Sequence, residues 1–155
     1  MFYIIKRFFV ITFKVYVVYF VLTLACVGLC IFFATRPPTI GVHVTRDETS
    51  LDLPEDATDV CYYLPSAFGP VTAYEFSTRE ENFRSWAKVN DWPLEPVSEQ
   101  GYQIYRYTWC MQETNAPRCA DIKHGLYHEW NEEDTGRYVA YDRDQHRAYC
   151  INHSR

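Results

Sequence analysis

The sequence predicts an α+β protein: one N-terminal transmembrane helix, then a small, mostly antiparallel sheet with one helix packed on it. Three observations carry that prediction. Residues 15–34 contain no charge. Residues 78–90 repeat their apolar positions at helical spacing. On either side of that run lie short Tyr-, Val- and Ile-rich segments that alternate with period two and are separated by turn residues.

The apolar stretch, VYVVYFVLTLACVGLCIFFA, is 20 residues long. As a helix it spans roughly 30 Å, the thickness of a bilayer's hydrocarbon core. Charge is divided unevenly around it. Three of the 15 basic residues (Lys6, Arg7, Lys14) precede it, and the other 12 follow it together with all 20 acidic ones. Short flanks rich in Lys and Arg stay cytoplasmic. The expected layout is a basic cytoplasmic tail at 1–14, a transmembrane helix at 15–35, a linker at 36–57 and an outer α+β domain at 58–155, periplasmic or extracellular. A cleaved signal peptide is the rival reading, but its apolar region runs to only about 7–15 residues before a small-residue cleavage site. Residues 32–36 (FFATR) make a poor site of that kind, and the apolar run continues eight residues past Cys26, where a lipoprotein would turn polar. The stretch therefore reads as an uncleaved signal-anchor. Ala25, Cys26, Gly28 and Cys30 form a small-residue stripe that would let a second helix approach; small residues facing lipid are the plainer reading.

Pro37 and Pro38 stop the helix, because proline lacks the N–H and restricts the residue before it. Residues 39–57 read as a tether: a short edge strand at 42–44, then a solvated acidic run. Strands are predicted at 59–64 and 71–76, joined by the turn PSAFGP. Thr78 and Glu81 make a capping-box pattern at the start of the helix, and Phe83, Trp86 and Ala87 face the core. Further strands follow at 102–109, 122–130, 137–141 and 147–151, the last two forming a hairpin around 142–146. The helix's Phe83 and Trp86 are expected to cover the apolar side of the sheet.

Four stretches carry a family resemblance: residues 73–76 (AYEF), the helix start at 79–83 (REENF), 128–130 with 132–134 (HEW and EED) and 138–155 (YVAYDRDQHRAYCINHSR). They resemble stretches of uncharacterised, membrane-anchored bacterial proteins. The resemblance covers most of the outer domain and implies a bacterial envelope setting. It implies no activity and no site residue.

Of six cysteines, Cys61, Cys110, Cys119 and Cys150 lie in the outer domain. An even number on the oxidising side suggests disulfides, and four cysteines allow three connectivities. Cys110 with Cys119 closes a short loop and is the first choice, leaving Cys61 and Cys150 to meet across the sheet. The plainer reading is that Cys61 and Cys150 are buried thiols.

His124 and His128, four apart with Glu129 beside them, are the metal-like pair; zinc would need a further ligand such as His146 or His153. Asp142, Asp144 and the run Glu132, Glu133, Asp134 offer oxygen ligands without an EF-hand pattern. Tyr105, Tyr107 and Trp109 would share one strand face, with Trp130 and Tyr141 on neighbouring strands, as a stacking platform for sugars; alternating aromatics are more often core. Glu129 and Glu132 could pair for acid–base work, but no catalytic motif accompanies them. No cofactor is expected. With 12 basic against 20 acidic residues after the anchor, a net −8, the outer domain is a poor partner for nucleic acid. The expected function is a non-catalytic, membrane-anchored envelope module that binds a protein partner; the alternative is a carbohydrate- or metal-binding ectodomain.

Overall fold

The computed structural model describes residues 2–66, 69–108, 110–112 and 116–154, and the side chains of these apart from 2–12, 33 and 34. The chain divides into two units, Met1–Arg36 and Pro37–Arg155.

The first unit is one helix, α1, Phe2–Ala34. Within it, Phe13–Phe32 is long and apolar enough to cross a membrane, with a mean hydropathy of 2.5 and none of it buried. Its polar groups look after themselves. The Thr23 hydroxyl donates to the Tyr19 carbonyl at 2.9 Å, one turn back. Thr35, at the end, donates its hydroxyl to the Ile31 carbonyl at 2.9 Å. Such back-bonding satisfies these two threonine hydroxyls in an apolar surrounding.

The second unit is α+β, as the sequence predicts. Its strands are β1 (Thr39–Val44), β2 (Thr58–Leu64), β3 (Val71–Ser77), β4 (Glu95–Pro96), β5 (Tyr102–Tyr105), β6 (Cys119–Ile122), β7 (Gly125–Glu132), β8 (Thr135–Asp142) and β9 (Arg147–Ser154). The helix α2, Glu80–Val89, follows β3. Seven strands form one sheet in the order β1-β2-β3-β9-β8-β7-β4, and β5 and β6 form a separate pair. Every pairing is antiparallel.

Strand alternation sends side chains to two different cores. On one face Val60, Tyr62, Tyr74, Phe76, Val139, Tyr141 and Cys150 meet α2 through Phe83, Trp86 and Ala87. Trp86 sits edge-on to Phe76 at 5.6 Å and to Trp92 at 4.7 Å, and Phe83 stacks on Tyr141 at 5.1 Å. Burying aromatics of this size stabilises by about 2–3 kcal/mol each. On the other face Cys61, Ala73, Ala140, Tyr149 and Ile151 pack under the β5–β6 pair through Ile104, Ala120 and Ile122. The large sheet is therefore covered on both sides, which explains why its strands are apolar on both.

Three sequence expectations differ. Residues 39–57 are not a solvated tether: β1 pairs with β2, Leu53 and Ala57 are buried, and the Trp86 indole donates to the Asp52 carbonyl at 2.9 Å. The predicted strand at 102–109 ends at Tyr105, and the one at 122–130 breaks at Lys123 and His124 into β6 and β7. The capping box at Thr78 does not form. Arg79 is the N-cap residue and makes no side-chain cap bond. Asp56 supplies the cap instead, accepting the Thr78 hydroxyl at 2.6 Å and the Arg79 backbone N–H at 3.1 Å.

Candidate functional site

The open side of the second core holds a cleft of about 330 Å³. Its floor is the large sheet, through Glu129 of β7, Tyr138 of β8, and Ile151 and His153 of β9. Its wall is β5 and the turn after it, through Tyr102, Gln103, Ile104, Tyr105 and Tyr107. The cross-strand pairs Glu129 with Tyr138 and Tyr138 with Ile151 bring the floor residues into one row. Tyr102 stacks on Tyr127 at 4.6 Å and so holds β5 over the sheet.

The rings do not lie parallel. Tyr105 and Tyr107 meet edge to face at 5.0 Å and 82°, making two perpendicular walls. Tyr138 and His153 stack at 5.6 Å on the floor. Gly136 makes that stack possible: a Cβ there would stand 2.3 Å from the His153 ring. The Tyr102 hydroxyl donates to Glu129 Oε2 at 3.3 Å. Burial first, then the neighbouring Glu129 carboxylate, pushes the Tyr102 phenol well above its usual range. Burial and the adjacent Tyr105 raise Tyr107 as well. Both phenols remain neutral O–H donors at physiological pH.

The Tyr105 and Tyr107 pair anticipated from the sequence is thus in the cleft, but as a corner rather than a flat platform. Tyr107 lies beyond the strand, and Trp109 falls outside the described residues. Trp130 is exposed and Tyr141 is buried under α2, so neither joins it. Sequence reading missed Tyr102, Gln103, Tyr138 and Ile151, and named His153 only as a further zinc ligand. Alternation alone could have grouped Tyr138 with Ala140, but only the pairing of β8 with β9 shows that His153 lies beside it.

The metal-like histidines have separate partners. His124 Nδ1 lies 2.9 Å from Asp144 Oδ2 on the surface, and His128 Nδ1 lies 3.1 Å from the Pro93 carbonyl. His146 contacts the Tyr141 hydroxyl at 3.4 Å. Among the described residues no three His, Cys, Asp or Glu side chains converge as a metal would require. Asp142 is buried and caps its turn, accepting the Asp144 and Gln145 backbone N–H groups at 2.8 and 3.2 Å. Glu132, Glu133 and Asp134 are exposed in and beside the β7–β8 turn, with Glu133 at φ 50°.

Among the described residues no disulfide joins Cys61, Cys110, Cys119 or Cys150. The expected Cys61–Cys150 bridge fails on register. Cys61 opposes Glu75, which opposes Tyr149, whereas Cys150 opposes Tyr74. The two cysteines therefore point to opposite faces of strands that are not neighbours, roughly 10 Å apart at the usual strand spacing, beyond disulfide reach. The expected Cys110–Cys119 bridge is likewise unformed, with Cys110 buried and Cys119 half-buried.

A second polar cluster lies deeper on the same face. Glu75 is 1% exposed. Arg106 bonds both its oxygens, Nε to Oε2 at 2.7 Å and Nη2 to Oε1. Arg147 reaches Oε1 with Nη2 at 2.9 Å and Asp59 with Nη1 at 2.6 Å. Burial opposes the charge on Arg147, but Glu75 and Asp59 outweigh it and move its pKa further up. His43 Nδ1 lies 2.5 Å from Asp59 and 3.9 Å from Cys61 Sγ. A base that activates a thiol presents one ring nitrogen to the carboxylate and the other to the sulfur. Here both approach Nδ1.

No protein family, curated protein or solved structure matches this chain. The site must be read from its own geometry.

Proposed function

We propose that the protein is a single-pass, membrane-anchored binding module whose outer domain lies on the extracytoplasmic side and holds a small ligand in the tyrosine-lined cleft. The observation that carries this reading is the cleft itself. It has the size of a small-molecule site and combines an aromatic lining with a few polar groups, Gln103, Glu129 and His153, along its border. The basic residues Lys6, Arg7 and Lys14 before the apolar helix support the orientation.

A broad protein-partner surface, the first expectation from the sequence, receives less support. The large apolar side chains exposed on the described outer domain are Val42, Val89, Tyr105 and Trp130, which stand on four separate elements. Isolated exposed apolar residues do not make an interface patch.

The test is thermal stability of the full chain in an uncharged polyoxyethylene detergent, scanned against neutral sugars, amino acids and small organic ions. A ligand at a hundred times its dissociation constant adds about 2.7 kcal/mol, several degrees of Tm in a domain of this size. Tyr105→Leu and Tyr138→Ala should abolish the shift, and Trp130→Ala, outside the cleft, should leave it. Stabilisation that survives both cleft variants, or multiple turnover of any ligand, would overturn the reading.

A further inference from the structure

The shape and charge of the cleft narrow the chemistry of its occupant. This step rests on the binding-module reading above. Four tyrosine rings, Tyr102, Tyr105, Tyr107 and Tyr138, border one space of about 330 Å³. A sugar is best held by a ring face lying flat beneath it. The Tyr105 and Tyr107 rings instead stand at 82° to each other, and the stacked Tyr138 and His153 border the same space. Aromatic rings set at angles around a pocket suit a rounded cation, whose charge is drawn to the negative ring faces from several sides.

The charges agree with the shape. Glu129 is the one carboxylate among the described lining residues, and that lining includes no Lys or Arg. The Tyr102 hydroxyl bonds Glu129 Oε2, which leaves the other carboxylate oxygen for a ligand's charge. Tyr102 and Tyr107 are shifted towards the neutral phenol, so they add no charge of their own. The chain beyond the anchor carries 12 basic against 20 acidic residues, a field that draws cations in.

We propose that the cleft is a receptor for an alkylated ammonium cation, with Tyr105, Tyr107 and Tyr138 enclosing the alkyl groups and Glu129 supplying the counter-charge. Such a head comes either as a free solute or on a zwitterionic lipid. Full alkylation of the nitrogen removes its N–H donors and surrounds the charge with apolar groups that the rings can contact. The rings then supply both apolar contact and electrostatic attraction.

The experiment titrates the full chain, in polyoxyethylene detergent, with choline and with its neutral isostere 3,3-dimethylbutan-1-ol, read by calorimetry. Choline should bind at least tenfold more tightly than the isostere. Glu129→Gln keeps the Tyr102 hydrogen bond but removes the charge, and should weaken choline about tenfold while leaving the isostere unchanged. Tyr105→Leu, at an exposed position, should weaken both. Equal binding of choline and isostere, or no effect of Glu129→Gln, would overturn the cation proposal. Binding of neutral sugars in the cleft without choline would also overturn it while leaving the binding-module reading intact. Indifference of every ligand to the cleft variants would overturn both. Reconstitution in phosphatidylcholine and in phosphatidylglycerol nanodiscs separates the two sources. A lipid head occupying the cleft raises the apparent dissociation constant of free choline only in phosphatidylcholine, and a free-solute receptor gives the same value in both.

Discussion

Glu75 stands in the middle of β3, and two guanidinium groups from distant parts of the chain, Arg106 and Arg147, share its oxygens. Their side chains are mostly hidden, at 11% and 12% exposed against 1% for Glu75. Removing one partner from a buried ionic cluster leaves the others desolvated and unpaired, which costs about 3–5 kcal/mol. Glu75→Gln should therefore lower the urea midpoint of the full chain by more than any surface substitution, and a loss below about 1 kcal/mol would show the cluster to be dispensable. The sequence placed Glu75 on a strand but gave no sign of this role, because its partners lie 31 and 72 residues away. Cys150 makes the opposite point. Its thiol is pushed up to about 12, by burial above all, with the Tyr74 and Arg137 contacts only partly offsetting it. The nucleophile is the thiolate, and at pH 8 the buried thiol keeps its proton. Alkylation of the native chain at pH 8 should leave Cys150 unmodified by mass spectrometry and modify it only after unfolding.

At the scale of elements, the start of α2 depends on a residue the sequence assigned to a tether. Burial works against ionisation of Asp56, but hydrogen bonds from Thr78, from the Arg79 backbone and side chain, and from Asn82 outweigh it and hold the carboxyl at about 2. Glu80, in the helix's first turn, is also held at about 2, chiefly by Arg143 and, against burial, by Arg84. Both folded values lie below the unfolded ones near 4, so both groups stabilise fully above pH ~4 and lose that contribution as pH falls towards 2. Asp56→Asn should cost about 1 kcal/mol at pH 7, allowing for solvent screening and the size of a typical cap. The gap to the wild type should close near pH 2 in denaturation curves taken across that range; a gap independent of pH would rule out the carboxylate as the cap. Helix α2 itself was legible, with Phe83, Trp86 and Ala87 buried where the helical period put them. Its cap was not, because Thr78 with Glu81 satisfies the local pattern and only the fold brings Asp56 within reach. The cleft was half legible for a similar reason. Tyr105 and Tyr107 lie near one another in sequence, whereas Tyr138 and His153 are brought together by the pairing of β8 with β9 and reach the tyrosines only because the β5–β6 pair packs on that sheet, neither of which sequence periodicity encodes.

For the molecule as a whole, two-sided coverage of the sheet restricts where anything can bind. One face carries α2 and the other carries the β5–β6 pair, so a ligand gains access beside β5 rather than on a broad sheet surface. That arrangement serves an extracytoplasmic role only if the outer domain faces outward, and the charges around Phe13–Phe32 are what argue for it. The three tail cations act together with a flank that is acidic only on the far side, so orientation should follow their sign. Protease added to intact right-side-out vesicles should digest the chain from residue 37 onward and leave the apolar helix as a protected fragment. Replacing the tail cations (Lys6→Glu, Arg7→Glu, Lys14→Glu) should move a measurable share of the chains to the opposite orientation, in which digestion requires a broken membrane. If wild-type chains resist protease until the membrane is opened, the cleft faces the cytoplasm, and an external solute or outer-leaflet lipid can no longer be its ligand.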